Sequence, residues 1–535
     1  MSVANQKILT GIIKESPADD RQLLHLKKKF SGQQGLPPVT NATLIAAYRQ
    51  LSFARQKKYS TVFNLLTKRR TRTLSGVTPL TVLTKPFKCP GRCIYCPGEP
   101  GMPQSYLSNE PAAQRAKINK FDPVKQTVMR IKALEANGHL VDKIELLILG
   151  GCFNAYTKQY QESFIKKCFD VCNSPLAAGG AFNLRYSKNL QGAFKKNEVS
   201  RYHIIGVTVE TRPDLINEKT ILWFRRLGIT RVQLGVQHLD DKILQYVQRG
   251  HSTRQTIRAT ALLKQAGFKI DYHIMPNLPG ATPAKDLKMF QCLFADENFQ
   301  PDQIKIYPTI VNEYAPLYQW FKQGKYQPYS ENQLRDLLIK MKLATPNYVR
   351  INRLIRDIPK ESISAGNKIT NLRELLQTEL KKQGKKCKCI RCREARQDAD
   401  DLKQAGLFTK KYRASFGTEY FISFESQSHD KLYSFIRLRF NDLAKIDDNF
   451  IPELKGAALV RELHTYGQLV PVNGRSRKSK IQHAGFGKRL MKIAEELTKK
   501  QGLNKIAVIA GIGVRPYYRK LGYRLKGTYM VKYLP

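Results

Sequence analysis

The sequence predicts a multidomain α/β protein: a basic helical N-terminal region, a partly open barrel of six strand–helix units, and a C-terminal α+β domain. Three observations predict it. Short apolar strands alternate with amphipathic helices from about residue 79 to 353, the pattern of a parallel sheet covered by helices. From about residue 401 the order changes to strands, one long helix, then strands again. Ahead of both, basic runs lie among Leu, Ile, Tyr and Phe at helical spacing. The expected divisions are residues 1–78, 79–365, a Cys-bearing linker over 366–400, and 401–535.

Residues 1 to 80 carry fourteen Lys and Arg against three Asp and Glu. They include Lys57-Lys58 and the run Lys68, Arg69, Arg70, Arg72. TLIAAYRQLSFARQ reads as helix, so this is a folded region with a basic face suited to phosphate contacts; a merely solvated face is the alternative. The whole chain holds 91 basic and 43 acidic residues, net +48. Solubility needs far less, so a polyanionic partner is the economical explanation, against adaptation to a basic proteome. No signal-peptide pattern is seen, and no apolar run approaches the roughly 18 residues of a membrane span. Ten cysteines suit metal and thiol chemistry in a reducing compartment. A cytoplasmic location with no membrane partner is expected.

The barrel strands are expected at Pro79–Leu83, Lys143–Leu149, His203–Glu210, Arg231–Gln237, Phe268–Met275 and Gln303–Tyr307. Helical stretches such as PVKQTVMRIKALEANG and STRQTIRATALLKQAG separate them, several ending in Gly. Chemistry in such barrels sits at the carboxyl ends of strands. There the sequence places Cys89–Cys96 after the first strand, Gly150-Gly151 after the second, VETRPD after the third, GVQHLD after the fourth and MPNLPG after the fifth.

CPGRCIYCPG carries Cys89, Cys93 and Cys96 in a C-x3-C-x2-C spacing. Three thiolates on one tight loop can hold three irons of a [4Fe–4S] cluster, leaving the fourth open to chelation by S-adenosylmethionine (SAM). The alternative is a structural zinc loop with one distant ligand. Gly150 and Gly151 let the backbone approach the amino group of SAM, or simply make a tight turn. Glu210 and Arg212 either meet the ligand's charged ends or pair with each other at the rim. A second group, Cys387, Cys389 and Cys392 in KKCKCIRCRE, suits a zinc that staples domains, with free thiols as the alternative. Cys152, Cys168, Cys172 and Cys292 are expected in the core.

In the C-terminal region SFIRLRF, GAALVRELHTYG and NKIAVIAGIGV read as strands. Between the last two, Gln482-x-x-Gly485-x-Gly487 opens a helix with Leu490, Met491, Ala494 and Leu497 in one stripe. A glycine loop at a helix N-terminus suits a pyrophosphate. RPYYRKLGY and a final strand GTYMVKYL follow, which is the order of the GNAT acetyltransferases. Tyr518 is the candidate to protonate a departing thiolate, against ordinary packing on the terminal strand.

From about residue 70 onward the chain closely resembles the catalytic subunit of Elongator and the stand-alone prokaryotic tRNA uridine(34) acetyltransferases, in which a radical SAM barrel precedes a GNAT domain. RTLSGVTPLTVLTKP, the Cys loop, VDKIELLILGG, VETRPD, QLGVQHLDD, DQIKIYPT, IRDIP, NLRELL, RELHTYG, QHAGFG and GIGVRPYYRKLGY carry the resemblance. It implies that Cys89, Cys93 and Cys96 hold the cluster. It implies that Lys143, Glu462, Leu463, His464 and Thr465 contact acetyl-CoA, that Phe486, Gly487 and Lys488 bind its pyrophosphate, and that Tyr518 is the family's late tyrosine. The first cysteine gap is shorter than the family's usual one, and Glu99 stands where a second Gly is common. The activity implied is an acyltransferase that forms 5-carboxymethyluridine at the wobble uridine of tRNA. A radical from SAM cleavage takes a hydrogen from the acetyl methyl, the carbon adds to C5 of the base, and water cleaves the thioester. His464 is one candidate to activate that water, against an ordinary buried strand histidine. Expected partners are tRNA, a second copy of the chain and, in eukaryotic-type relatives, other Elongator subunits. The alternatives are a protein lysine acetyltransferase and a tRNA-binding scaffold with a degenerate radical site.

Overall fold

A computed structural model describes residues 3–68, 75–174, 182–395, 402–442, 449–467 and 485–535. Gln482, Arg69, Arg70 and Arg72 lie outside the described residues. At the front, helices Val3–Glu15, Asp20–Gly32, Asn41–Tyr48 and Ser60–Leu66 close over Ile8, Leu9, Ile12, Leu44, Ile45 and Leu66, and the short helix Phe53–Lys58 buries none of its residues. The stretch TLIAAYRQLSFARQ, read as helical, forms two helices separated by Arg49–Ser52.

Seven described strands form one parallel sheet in sequential order: β1 (Thr78–Leu83), β2 (Lys143–Leu149), β3 (His203–Thr211), β4 (Arg231–Gln237), β5 (Lys269–Ile274), β6 (Gln303–Ile306) and β7 (Arg350–Arg353). The ends of this sheet do not pair, so the barrel is open. Six strands fall where the apolar runs place them; β7 is the addition. RINR is four residues long with charge at both ends, and gives no apolar run to read. Helix starts follow their caps: Ser252 with Gln255 and Ser330 with Gln333 form capping boxes, satisfying free N–H groups reciprocally.

Alternate residues of the strands pack outward against the helices, with Ile144, Leu146, Val232, Leu234, Ile270 and Ile304 fully buried there. Residues 366–395, expected as a linker, carry helices Leu372–Lys382 and Ile390–Arg393 and pack against β7: Ile390 N donates to the Val349 carbonyl at 2.9 Å.

The C-terminal sheet has the order β13-β14-β12-β11-β10-β9-β8. Its strands are β8 (Gly406–Arg413), β9 (Gly417–Glu425), β10 (Leu432–Asn441), β11 (Ala458–Thr465), β12 (Lys505–Val508), β13 (Arg524–Lys526) and β14 (Tyr529–Tyr533). Helix Phe486–Lys500 buries Phe486, Leu490, Met491 and Ala494 against it. β8 is a mostly exposed edge strand, which is why GLFTKKYR gives little strand signal.

The two sheets are locked together by buried charge. Arg461 donates to Asp302 (2.9 Å and 2.5 Å) and to Glu419 (2.9 Å). Lys264 lies 3.8 Å from Asp302 and 3.6 Å from Glu419. Arg437 reaches the Tyr348 carbonyl at 2.5 Å.

Candidate active site

The Cys loop leaves β1 and is clamped over the mouth. Ile94 N donates to the Val247 carbonyl at 3.2 Å and Gly98 N to the Tyr314 carbonyl at 3.0 Å. Ile94, Tyr95, Val247, Leu278 and Leu317 pack beneath it as a separate apolar cluster. A close-packed floor fixes where the sulfurs point.

Each sulfur accepts an N–H at 3.4 Å: Cys89 from the Gly91 backbone, Cys93 from Arg249 Nη1, Cys96 from Gln104 Nε2. Such donors favour thiolate and tune a bound cluster. A hydrogen bond with the Cys152 thiol, first among the causes, holds Cys89 down at about 6, while burial pushes Cys96 up to about 11. Cys152, expected in the core, is instead only partly buried and neighbours Cys89, the first cysteine of the loop. The sulfurs of Cys387, Cys389 and Cys392 all lie within 4.8 Å of one another, and those of Cys89, Cys93 and Cys96 do not. A single zinc with bonds of about 2.3 Å needs sulfurs about 3.8 Å apart.

Beside the loop, a cavity of about 700 Å³ is bordered by Pro90, Gly91, Arg212, Gly250 and His251. Arg212 Nη1 is buried there with no hydrogen-bond partner, as a site for a charged, polar ligand such as SAM requires. Gly91 lies so close to Arg212 that a side chain at 91 would strike the guanidinium. Gly150 has φ +126° and lies against Thr84, so only glycine is accommodated there. Glu210 and Arg212 do not pair with each other. The Tyr106 hydroxyl donates to Glu210 at 2.8 Å, and Arg212 Nε donates to Asp214 at 2.9 Å. Glu99 accepts from Ser108 N at 2.7 Å, tying down the loop after Cys96.

The second half-site lies in the C-terminal sheet. β11 and β12 pair only through Ala458–Val460 with Ile506–Val508, and beyond that the strands part. Leu463 and Thr465 face the helix that follows, whereas Glu462 and His464 point to the other side of the strand, toward Lys269, Arg437 and the Ser75 carbonyl. Helix Phe486–Lys500 starts beside the opening from Gly485, at φ +75°. A methyl group added at Gly487 would lie 3.0 Å from the Tyr517 hydroxyl, 3.8 Å from Thr465 Oγ1 and 3.9 Å from Leu463 Cδ2. The free N–H groups and dipole of this helix end, with Lys488 exposed at its first turn, suit a diphosphate. Tyr518 is 6% exposed and packs against Tyr523. Burial raises its pKa, so its hydroxyl keeps its proton. Burial likewise keeps His464 neutral. Its Nε2 lies 2.9 Å from the Ser75 carbonyl, which can only accept, so the proton sits on Nε2 and Nδ1 is the basic nitrogen.

The half-sites occupy opposite ends of the barrel. The cysteines are at the carboxyl ends of the strands. Below the amino ends, Lys269 at the start of β5 is 3.5 Å from Glu462, and Arg350 at the start of β7 donates to the Tyr466 hydroxyl at 3.1 Å. Lys143 opens β2 at that same end, its pKa lowered by burial.

Two family profiles match the chain: the Radical SAM superfamily over residues 85–292 and the Radical SAM C-terminal domain over 301–382. The tRNA uridine(34) acetyltransferase of Methanocaldococcus jannaschii is 42% identical over 90% of this chain and 89% of its own length. Elongator complex protein 3 of Homo sapiens is 37% identical over 86% of this chain and 85% of its own. The structure of archaeal Methanocaldococcus infernus Elp3 with an N-terminal deletion superposes with a TM-score of 0.73 at 39% identity, over 86% of this chain and 100% of that one. The chain belongs to the Elp3/tRNA uridine(34) acetyltransferase family. As a radical SAM member it is an enzyme that uses a [4Fe–4S] cluster and SAM.

Within this Elp3-family fold, sequence reasoning missed Gln104, Cys152, Arg249 and Tyr517. Cys152 had a signal, since it directly follows the glycine pair. Arg249 and Gln104 had none, being brought to the sulfurs by packing alone. Cys387 and Cys389 are buried between barrel and C-terminal sheet. The adjacent Arg393 donates to Glu425 at 2.7 Å and to the Asn347 carbonyl at 2.8 Å. Lys57 and Lys58 are exposed at the end of helix Phe53–Lys58, and Lys68 is exposed in the turn after helix Ser60–Leu66. Among the described residues no helix is long and apolar enough to cross a membrane.

Proposed function

We propose that this chain is a tRNA uridine(34) acetyltransferase that makes 5-carboxymethyluridine from the wobble uridine, with acetyl-CoA as carbon donor. One observation carries it: a three-cysteine mouth and a splayed-strand cleft occupy the two ends of one barrel. When bound at Cys89, Cys93 and Cys96, the cluster with SAM supplies a radical able to take hydrogen from an unactivated carbon. Arg212, His251 and Glu210 orient the polar ends of SAM, with Gly150 and Gly151 giving it backbone access. Phe486, Gly487 and Lys488 hold the diphosphate of CoA, and Gln482 continues that loop in sequence. Lys143, Glu462, Leu463 and Thr465 place its arm. Nδ1 of His464 takes the proton of the hydrolytic water, and Tyr518 returns a proton to the leaving thiolate. Basic faces hold the tRNA phosphates while the base turns into the mouth.

The test is anaerobic incubation of cluster-reconstituted protein with tRNA, SAM and acetyl-CoA, followed by mass spectrometry of the nucleosides. Carboxymethyluridine is expected. Acetyl-lysine on added peptides without modified uridine would point instead to a protein acetyltransferase, and tRNA binding with neither product to a scaffold.

Removing the Tyr518 hydroxyl (Tyr518→Phe) is expected to slow thioester hydrolysis about 10²-fold with acetyl-CoA affinity retained; an equal loss in Tyr517→Phe alone would reassign the proton to Tyr517. Neutralising Lys57 and Lys58 together should lower the slope of log affinity against log salt by up to about 2, without changing which tRNA is preferred. An unaltered slope would remove these lysines from the interface.

The second cysteine group is proposed to hold zinc. Its three sulfurs are close enough for one ion, and metal bound there couples to folding. Elemental assay should give about one zinc per chain, lost together with thermal stability in Cys389→Ser.

A further inference from the structure

In (β/α) barrels the interior is ordinarily filled with branched apolar side chains. Here the inward row is polar, including Arg231, Gln233, Asp271, His273, Gln303 and Lys305, while the alternate residues of the same strands are apolar and face the helices. Contacts run across the lumen and not only between neighbouring strands. Lys305 of β6 lies 4.0 Å from Glu210 of β3 and donates to Gln233 of β4 at 2.5 Å. Asp271 Oδ1 is buried inside with no hydrogen-bond partner.

Near the amino end a single guanidinium spans this space. Arg231 donates from Nε to Thr208 Oγ1 at 2.8 Å and from Nη1 to Gln303 Oε1 at 2.8 Å, and its Nη2 lies 3.1 Å from Glu145 Oε1. β2, β3, β4 and β6 are thus tied at one level. Below that level stand Lys269 and Glu462, where the thioester cleft begins. Above it the polar row leads to Glu210 and the cysteine mouth.

We propose that the barrel lumen is the passage by which the acyl end of a thioester on a pantetheine arm reaches the radical site, and that Arg231, held by Glu145, Thr208 and Gln303, bars it until the thioester is admitted. This rests on the function proposed above. Neither half-site needs to move: the cluster stays at one end, the diphosphate loop at the other, and only the flexible arm threads the axis. Polar walls suit the amide groups of that arm, which would leave unpaired groups in an apolar lumen.

Two measurements on the full, reconstituted chain test it. The first uses methyl-deuterated acetyl-CoA and follows deuterium into 5′-deoxyadenosine. Transfer by the unaltered protein tests the function; its absence would sink that reading and not the passage. Thr208→Trp, which fills the lumen at the level of the bar, should cut transfer by about 10²-fold or more while acetyl-CoA affinity stays within about twofold of the unaltered protein. Transfer above half the original rate would overturn the passage.

The second needs no turnover. In Thr208→Cys, bromoacetyl-CoA should alkylate the introduced thiol: a C–S bond forms, the C–Br bond breaks, bromide leaves and the thiol proton goes to water. Peptide mapping should place the adduct at position 208, and excess acetyl-CoA should suppress it. Removing the bar's ion pair as a unit (Glu145→Ala with Arg231→Ala) should speed that labelling about tenfold. No adduct at 208 in either background overturns the passage, and an unchanged rate overturns the bar.

Discussion

Replacing Cys93 by Ala will abolish uridine modification, by at least about 10³-fold, because no other group in the mouth can supply the radical. In the proposed function each of the three sulfurs would hold one iron of the cluster, and removing one would leave that iron without its protein ligand. The Arg249 side chain also loses its sulfur acceptor, although its bond to the Gly235 carbonyl remains. The basic faces lie elsewhere, so tRNA affinity should hold within about twofold. Iron and sulfide assay, nucleoside analysis and a tRNA titration check the three parts. Product at more than a tenth of the original level would remove Cys93 from the radical chemistry.

Asp302→Ala will destabilise the chain by about 3–5 kcal/mol, the range for removing one partner of a buried charge network. Asp302 is fully buried where barrel and C-terminal sheet meet, and Arg461, Lys264 and Arg437 all face it. Without it, Glu419 alone faces the cations of Arg461, Lys264 and Arg439. Burial opposes ionisation of Asp302, but these cations outweigh it and hold its pKa below the usual carboxylate range. Its contribution is therefore present in full above the unfolded pKa of about 3.9, and it is lost as pH falls below that toward the folded value. Denaturant melts from pH 7 to pH 3 should show the unaltered protein losing stability at the acid end, and Asp302→Ala losing less. Equal pH dependence of the two would show that the docking does not rest on this carboxylate.

The alternation of apolar strands and amphipathic helices is a local property, and it was enough to place six barrel strands, the cysteine loop and the glycine-opened helix. Where local pattern was weak, reading failed for a definable reason. Arg350–Arg353 is a strand only because β6 offers it a hydrogen-bonding edge. Gly406–Arg413 is an exposed edge whose side chains mostly meet water. Cys152 follows the glycine pair, but only the fold brings it to Cys89. The sequence of β4, RVQLGVQ, alternates polar with apolar residues except at Gly235. That alternation says one face is not packed against helices, but not that the face looks into a lumen.

The chain's own order determined the kinds of chemistry present: three close thiols able to carry a cluster, a helix end able to take a diphosphate, and a large positive charge. Spacing along the backbone fixes the first two, each completed within about ten residues, and composition fixes the third. Only the tertiary structure decided how they relate. Closing the sheet into a half-barrel sets the sulfurs at one end of its axis and Glu462 and His464 at the other, with Arg231 between them. Distances across a barrel depend on strand pairing between segments far apart in sequence, and no local pattern encodes them.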